Sequence, residues 1–190
     1  MFSLAEAPEL RKRVIRVFSF SKAYAMTGWR VGYVHSDESV AREILKVHDS
    51  LVTCAPVISQ YAALGALEMG ESDLKNFVRE FEKRRDLICA RLDKLSYVFS
   101  YIKPNSAYYV FPKIKFPLPP LLRVVKGDQE GGKDKVNSWQ FALNLLDKAQ
   151  VAVVPGVAFG PNGEGHIRMS FGRSEENINK AFDRMENLFN

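Results

Sequence analysis

The sequence predicts an α/β protein in which strands and helices come first and a smaller α+β unit follows. Residues 14–20 and 30–34 are rich in β-branched and aromatic side chains, which is typical of strands. Between residues 72 and 95, apolar side chains recur at steps of three and four, which is the period of a helix. The chain has 190 residues, of which 46% are hydrophobic and 26% charged. It can therefore form one domain, or one domain joined to part of another.

The first half contains two predicted strands followed by three predicted helices. Ser36 is the predicted N-cap of the first helix, whose apolar stripe is formed by Val40, Ile44, Val47 and Leu51. Pro56 opens the second helix, which runs through Glu68. Ser72 is the predicted N-cap of the long third helix. The apolar stripe of that helix comprises Leu74, Phe77, Val78, Phe81, Ile88, Leu92 and Leu95.

The second half is predicted to hold short strands at 108–111, 151–154 and 166–171, with a helix at 139–149. A final helix begins at Glu175 and is capped by Ser174. Its apolar stripe comprises Ile178, Phe182, Met185 and Phe189. Prolines, paired glycines and mixed charges at 117–136 predict a surface insertion.

The charge pattern argues against a nucleic-acid-binding protein. The net charge is +5, but basic residues alternate with acidic ones, as at 79–85, and such a pattern indicates a solvated helix face. No apolar run approaches the length of a membrane span, and the first residues lack the order of a secretion signal. Cys54 and Cys89 fit no metal or redox spacing, so we expect two buried reduced thiols and a cytoplasmic protein. His35, His48 and His166 also lack metal-ligand spacing, and we expect no metal site.

Lys22 is the centre of the most informative run in the sequence, just beyond the first predicted strand. A lysine held out of bulk water there, near a second cation, keeps a nucleophilic amine that can form a Schiff base. Ser19 and Ser21 flank it, and Arg30 follows eight residues later on the second predicted strand. Two hydroxyls and a forked guanidinium suit a phosphate group.

Gly28 and Gly32 lie in the same run and are expected to let the backbone turn and approach closely. A lone lysine in a serine-rich turn is usually a surface residue, and a lone arginine is usually a salt-bridge partner. The combined spacing favours the functional interpretation. Together these residues resemble the pyridoxal-phosphate attachment motif of class I/II aminotransferases, in which Ser-x-Ser-Lys is followed eight residues later by arginine.

Two further segments resemble the same family. Residues 155–160 read Pro-Gly-Val-Ala-Phe-Gly and residues 167–171 read Ile-Arg-Met-Ser-Phe, similar to two motifs near the C-terminus of these enzymes. The resemblance implies that Arg168 holds the α-carboxylate of the substrate. Residues 104–112 resemble the Gly-x-Phe-Tyr strand that flanks the substrate, with Ser106 where glycine is usual. This third match implies a substrate contact by Tyr108.

The resemblance implies the C-terminal part of the large domain of a fold type I pyridoxal-phosphate-dependent transferase, followed by an α+β small domain. Residues 1–71 would end the large domain, 72–97 would form an interdomain helix, and 98–190 would form the small domain. The implied activity moves an α-amino group between an amino acid and a 2-oxo acid through a Lys22 Schiff base with pyridoxal 5'-phosphate. Ser19, Ser21 and Arg30 would anchor that cofactor, and the protein would be a homodimer.

The resemblance also implies residues that this sequence lacks. In the family an aspartate, an aromatic residue, an asparagine and a tyrosine contact the cofactor ring from positions upstream of the lysine, and residues 1–21 contain no Asp, Asn or Tyr. We therefore expect this chain alone to be incomplete as an enzyme. The alternatives are a non-catalytic fragment that acts as a folding or dimerising module, or a related pyridoxal-phosphate-dependent lyase.

Overall fold

The computed structural model describes residues 6–115 and 137–189. The chain divides into two compact units, Met1–Asn76 and Phe77–Asn190. The predicted insertion at 117–136 lies outside the described residues. In the part of the chain that is described, no helix has both the length and the apolar character needed to cross a bilayer.

The first unit consists of a two-stranded antiparallel hairpin and two helices, followed by the start of a third helix. Its elements are β1 (Arg16–Ser19), β2 (Gly32–His35), α1 (Glu38–Leu51) and α2 (Val57–Glu68). Within the hairpin, Ser19 is the partner of Gly32. Both strands are shorter than predicted, because only four residues of each pair across the hairpin, from Arg16 with His35 to Ser19 with Gly32.

Two of the three helix starts of the first half differ from the sequence prediction, by one residue for α1 and by two for α3. Asp37, and not Ser36, caps α1, because the Asp37 carboxylate accepts a hydrogen bond from the Ser39 backbone N–H at 3.3 Å. The third helix, α3 (Glu71–Lys94), begins before Ser72, so Ser72 is a helical residue and not its cap. Pro56 does stand immediately before α2, as predicted.

The first unit has a small core. Its buried apolar cluster comprises Phe20, Met26, Ala63 and Ala66. No side chain of α1 is buried, and Val47 and Leu51 of the predicted stripe are 60% and 76% exposed. A stripe of this kind normally packs against another layer. The periodicity therefore predicted the helix correctly, although within this unit the stripe is only partly covered: Val40 and Ile44 are partly buried, and Ile44 lines a pocket together with Val17 and Tyr33 of the hairpin.

The second unit is a compact α+β fold. After α3 it contains β3 (Phe99–Ser100), β4 (Tyr109–Val110), β5 (Lys113–Ile114), α4 (Ser138–Asn144), β6 (Val154–Pro155), β7 (Ile167–Ser170) and α5 (Glu175–Phe189). Strand β7 is the centre of a three-stranded antiparallel sheet with the order β4-β7-β6. Strands β3 and β5 form a separate antiparallel pair.

Two elements of the second unit are less regular than predicted. The predicted helix at 139–149 is α4 followed by a π-helical turn at Leu145–Ala149. Of the predicted strand at 151–154, only Val154 pairs with β7, in the two-residue strand Val154–Pro155. Both segments still contribute side chains to the core, since Leu145, Ala149 and Val151 are buried.

The helix periodicity of the second unit correctly predicted its core. All four residues of the α5 stripe, Ile178, Phe182, Met185 and Phe189, are buried. Of the stripe predicted for α3, Ile88, Leu92 and Leu95 are buried, with Leu95 just beyond the end of the helix, while Phe77 and Val78 are exposed. The Ser174 hydroxyl accepts a hydrogen bond from the Asn177 N–H at 3.3 Å and caps α5 as predicted.

The two cysteines lie in different surroundings. Cys89 is a buried free thiol, as expected, and burial raises its pKa. Cys54 is also free, but it is exposed. The expectation of two buried thiols is therefore wrong for Cys54, because the turn after α1 leaves that side chain on the surface.

Candidate active site

Lys22 lies in the turn that follows β1, three residues beyond Ser19. The Ser19 hydroxyl oxygen accepts a hydrogen bond from the Ser21 backbone N–H at 3.1 Å, which folds the chain back on itself just before Lys22. Phe20 and Met26, on either side of the turn, are buried at 4% and 7% exposure. The turn is therefore fixed at both of its ends.

The helix α2 provides the surface on which this turn rests. Phe20 and Met26 share a cluster with Ala63 and Ala66, the small residues of the inward face of α2. Small side chains allow the turn to approach the helix closely, and the larger apolar residues of α2 face the other way. The sequence did not reveal this support, because the apolar residues of α2 show no single stripe.

Arg30 and Gly32 return the chain from the turn to the hairpin. Arg30 was predicted to lie on the second strand, but it ends the 3₁₀ turn Thr27–Trp29 with a left-handed backbone (φ +51°). Its Nη1 donates to the Thr27 carbonyl oxygen at 2.9 Å. A Cβ at Gly32 would overlap the carbonyl oxygen of Phe18, so this glycine is required as predicted. A Cβ at Gly28 would meet nothing within 4 Å, so the same expectation is wrong there.

The candidate cofactor residues are more open to water than the sequence led us to expect. Ser19, Lys22 and Arg30 are exposed, and Ser21 is partly buried. The expectation that Lys22 is held out of bulk water is therefore not met within this unit. The physical reason is that Phe20 and Met26 pack the turn from one side, while β1 and β2 contribute no buried residue beside it.

Arg168 lies on the central strand β7 of the second unit and is partly buried. Its guanidinium carbon, Cζ, lies 4.3 Å from the ring centroid of Tyr109 and 4.8 Å from that of Phe159. Both distances are within the range of a cation–π interaction. Among the described residues, the Arg168 side chain has no hydrogen-bond or ion-pair partner. Its five N–H donors can therefore receive an anion.

The alternation of the sheet explains why these side chains meet. Val110, Ile167 and Met169 point into the core, so Tyr109 and Arg168 share the opposite face. Tyr109 belongs to the strand on one side of β7, and Phe159 belongs to the 3₁₀ turn Gly156–Phe159 that follows the strand on its other side. Neither ring was singled out from the sequence, although strand alternation could have indicated Tyr109.

Tyr108 is oriented differently from Tyr109. Its ring lies 6.1 Å from the ring of Phe81 and 4.3 Å from that of Tyr109. Its carbonyl oxygen accepts a hydrogen bond from the Phe171 N–H at 3.0 Å, which extends the β4–β7 pairing. The substrate contact implied for Tyr108 remains a prediction.

The turn that carries Phe159 is held by close backbone packing and by one carboxylate. A Cβ at Gly156 would overlap the carbonyl oxygen of Gly163, so the two glycines pack backbone to backbone. The Glu164 carboxylate accepts hydrogen bonds from the Ser138 N–H at 2.6 Å and from its hydroxyl at 3.2 Å. The Ser138 hydroxyl in turn accepts from the Val157 N–H at 3.2 Å. These contacts fix the position of Phe159 beside Arg168.

Known proteins similar to this chain were found by sequence. A sequence profile of the family "Aminotransferase class I and II" matches residues 1–185. The (5-formylfuran-3-yl)methyl phosphate transaminase of Methanocaldococcus jannaschii is 36% identical over 190 residues, which are 100% of this chain and 45% of the relative. The aspartate aminotransferase of Thermotoga maritima is 35% identical over 188 residues, covering 99% of this chain and 43% of the relative. The chain thus spans less than half the length of these relatives.

Solved structures show the same relationship. The aspartate aminotransferase from Rhizobium meliloti matches with a TM-score of 0.82 and 31% identity, covering 97% of this chain and 44% of that one. A Methanococcus jannaschii protein, described as similar in its active site to kynurenine aminotransferases, matches with a TM-score of 0.80 and 35% identity. The match covers 100% of this chain and 46% of the other. The fold is therefore that of fold type I aminotransferases, and the chain belongs to the family of class I and II aminotransferases.

Proposed function

We propose that this chain supplies the cofactor-binding lysine and the carboxylate-binding arginine of an aminotransferase that moves an α-amino group between an amino acid and a 2-oxo acid. The observation that carries the proposal is that Ser19, Ser21, Lys22 and Arg30 all lie at or within the short connection between the paired strands β1 and β2, which Phe20 and Met26 anchor. An amine, hydroxyls and a guanidinium together suit an aldehyde that carries a phosphate. The second supporting observation is the guanidinium of Arg168.

The residues on this turn fit pyridoxal phosphate, the cofactor of this family. The Ser19 oxygen accepts from the Ser21 N–H, which leaves the hydroxyl proton of Ser19 to donate to a phosphate. Arg30 uses Nη1 to hold the Thr27 carbonyl and keeps other donors for the same group. The bound cofactor would supply an aldehyde that captures the amino group and a ring that withdraws electrons from it. Lys22 would hold and return the proton at the substrate Cα.

Arg168 is proposed to orient the substrate through its α-carboxylate. A planar guanidinium can donate two parallel hydrogen bonds to a carboxylate, which fixes the rotation of the substrate about its Cα. Tyr108 is proposed as a neighbouring substrate contact, supported by the 4.3 Å separation of its ring from that of Tyr109.

The proposal is tested by trapping the cofactor. When pyridoxal phosphate is added to the chain, we expect an absorbance band well above the protein band, which borohydride removes. Peptide mapping should then find the reduced cofactor on Lys22. Lys46 is a matched control, because it is also an exposed lysine and forms an ion pair with Glu43 at 2.6 Å. Labelling spread equally over Lys46 and Lys22 would contradict the assignment.

The domain assignment remains as the sequence suggested. We propose that residues 1–71 belong to the large cofactor domain, 72–97 to an interdomain helix and 98–190 to the small domain. The division of the chain into compact units at Asn76 and Phe77 supports a boundary near the start of α3. Limited proteolysis that released a stable fragment beginning far from residues 72–97 would argue against it.

We also propose that the protein is a homodimer. The helix α2 buries Ser59, Ala63 and Ala66 and turns its larger apolar residues outward. Among these, Ile58 and Tyr61 are 67% and 69% exposed. Apolar area of this kind usually marks an interface. Sedimentation equilibrium is expected to show two copies per particle, and the substitution Ile58→Glu should shift the particle to one copy.

A cytoplasmic location is proposed as well. The support is the exposed free thiol of Cys54 together with the buried free thiol of Cys89, since a reducing compartment keeps both in this state. Recovery of the protein in a membrane or extracellular fraction would contradict this location.

A further inference from the structure

We propose that Tyr109 and Phe159 are positioning residues that hold the Arg168 guanidinium with its N–H edge free for a carboxylate. The inference rests on the carboxylate-binding role proposed for Arg168. It adds Tyr109 and Phe159 to the site, and their role is to position the guanidinium. Neither residue needs to touch the substrate for this task.

Cation–π contacts with two aromatic rings hold the Arg168 guanidinium in place. Its Cζ lies over both rings, at 4.3 Å for Tyr109 and 4.8 Å for Phe159. The electron-rich ring faces attract the cation, and the contact removes water from the guanidinium without using any of its N–H groups. All five N–H donors of a guanidinium lie in its plane. A contact between a ring and the guanidinium carbon occupies no hydrogen-bond donor, and no described residue pairs with these N–H groups, so they stay available for the two oxygens of a carboxylate.

An acidic side chain would position an arginine less suitably here. A salt bridge from Asp or Glu would occupy the donors that the substrate needs, and the substrate carboxylate would have to displace it. In the described part of the chain, no Asp or Glu contacts the Arg168 side chain. The two rings fix the Arg168 side chain and leave its N–H donors available for the carboxylate of the substrate.

Phe159 is itself held in place. Its ring meets the ring of Phe111 edge to face at 5.8 Å, and Phe111 stacks on the His166 ring at 5.1 Å. His166 is joined to the turn that carries Phe159, because its carbonyl accepts a hydrogen bond from the Gly156 N–H at 2.8 Å. The rings of Phe159, Phe111 and His166 therefore connect Arg168 to a turn that is held by hydrogen bonds. A binding group is pre-organised when its neighbours are fixed in this way.

The test follows the Nε–H signal of Arg168 by NMR in the full chain. The substitution Arg168→Lys identifies the signal, which we expect to be displaced by the ring currents of the two aromatic side chains. Phe159→Leu and Tyr109→Leu should each move it toward the position of exposed arginines. Phe159→Tyr and Tyr109→Phe keep a ring and should largely preserve the displacement. Tyr97→Leu is the matched control, because Tyr97 is an aromatic residue of the same unit that is 51% exposed.

The same signal reports anion binding, with succinate as the carboxylate probe. We expect Phe159→Leu and Tyr109→Leu to weaken succinate binding by about five- to tenfold, because each removes one cation–π contact. The ring-retaining variants should stay within about twofold of the parent chain. The amide spectrum of each variant shows whether it is folded.

Two results would overturn the inference. One is an Arg168 signal that stays in place in both leucine variants while they remain folded. The other is succinate binding that stays within about twofold of the parent chain in both leucine variants, since Tyr109 and Phe159 would then be packing residues only. Neither result bears on Lys22, whose role is read independently from the cofactor-trapping experiment. Failure of the aminotransferase assignment and failure of this inference are therefore distinguishable.

Discussion

Replacing Lys22 by alanine is expected to reduce transamination by about 10⁴-fold or more. The assay uses a fusion protein, in which a related aminotransferase supplies the part of the enzyme that this chain does not span. The substitution removes both the amine that holds the cofactor and the group that moves the Cα proton. Because the Lys22 side chain is exposed, the free energy of unfolding should change by less than about 0.5 kcal/mol. The measurement is single-turnover conversion of an amino acid to its 2-oxo acid, with chemical denaturation alongside.

Two further variants separate the chemistry of Lys22 from its charge. Lys22→Arg keeps a positive charge, but its guanidinium stays protonated and cannot act as a nucleophile or as a base, so activity should be as low as in Lys22→Ala. Lys46→Ala removes another exposed lysine and should leave turnover within about twofold of the parent. Turnover retained in Lys22→Ala would end the assignment of Lys22.

The sequence predicted helices better than strands for a physical reason. The stripe of α5 could be recognised because Ile178, Phe182, Met185 and Phe189 report a period set by the helix itself, and all four are buried. The strands β4 and β6 have two residues each, which is too few for a period to appear. Their extent depends on pairing with β7, and pairing between distant segments is not visible in a local pattern.

Individual residues of the candidate site could be predicted from the sequence, but the side chains that surround them in space could not. Lys22 was singled out by its place after a strand between two serines and by a family resemblance, and Arg168 by the family resemblance alone. The rings of Tyr109 and Phe159 beside Arg168 depend on the β4–β7 register and on a turn closed by Gly156, and neither is encoded near residue 168. The exposure of Lys22 was mispredicted, because burial depends on which elements cover a turn and not on the residues within it.

Replacing Gly156 by alanine is expected to lower the free energy of unfolding of the second unit by about 3 kcal/mol. A Cβ at this position would overlap the carbonyl oxygen of Gly163 and lie 2.6 Å from that of His166. Both obstacles are backbone atoms, so no flexible side chain can move aside. The turn must open, which weakens the hydrogen bond from the Gly156 N–H to the His166 carbonyl, now 2.8 Å long. Urea denaturation followed by Trp139 fluorescence, in a Trp29→Phe background, measures the change.

Gly172→Ala is the matched control for this substitution, because it makes the same chemical change just after β7. A Cβ at Gly172 would meet the Ser170 hydroxyl at 3.4 Å and the Tyr108 ring at 3.6 Å, which are ordinary contacts. Its effect on unfolding should stay within about 0.5 kcal/mol. Gly156→Ala should also displace Phe159 and so move the Arg168 Nε–H signal, whereas Gly172→Ala should not. Equal stability of the two variants would show that the turn at Gly156 tolerates a side chain and that backbone packing does not fix the ring beside Arg168.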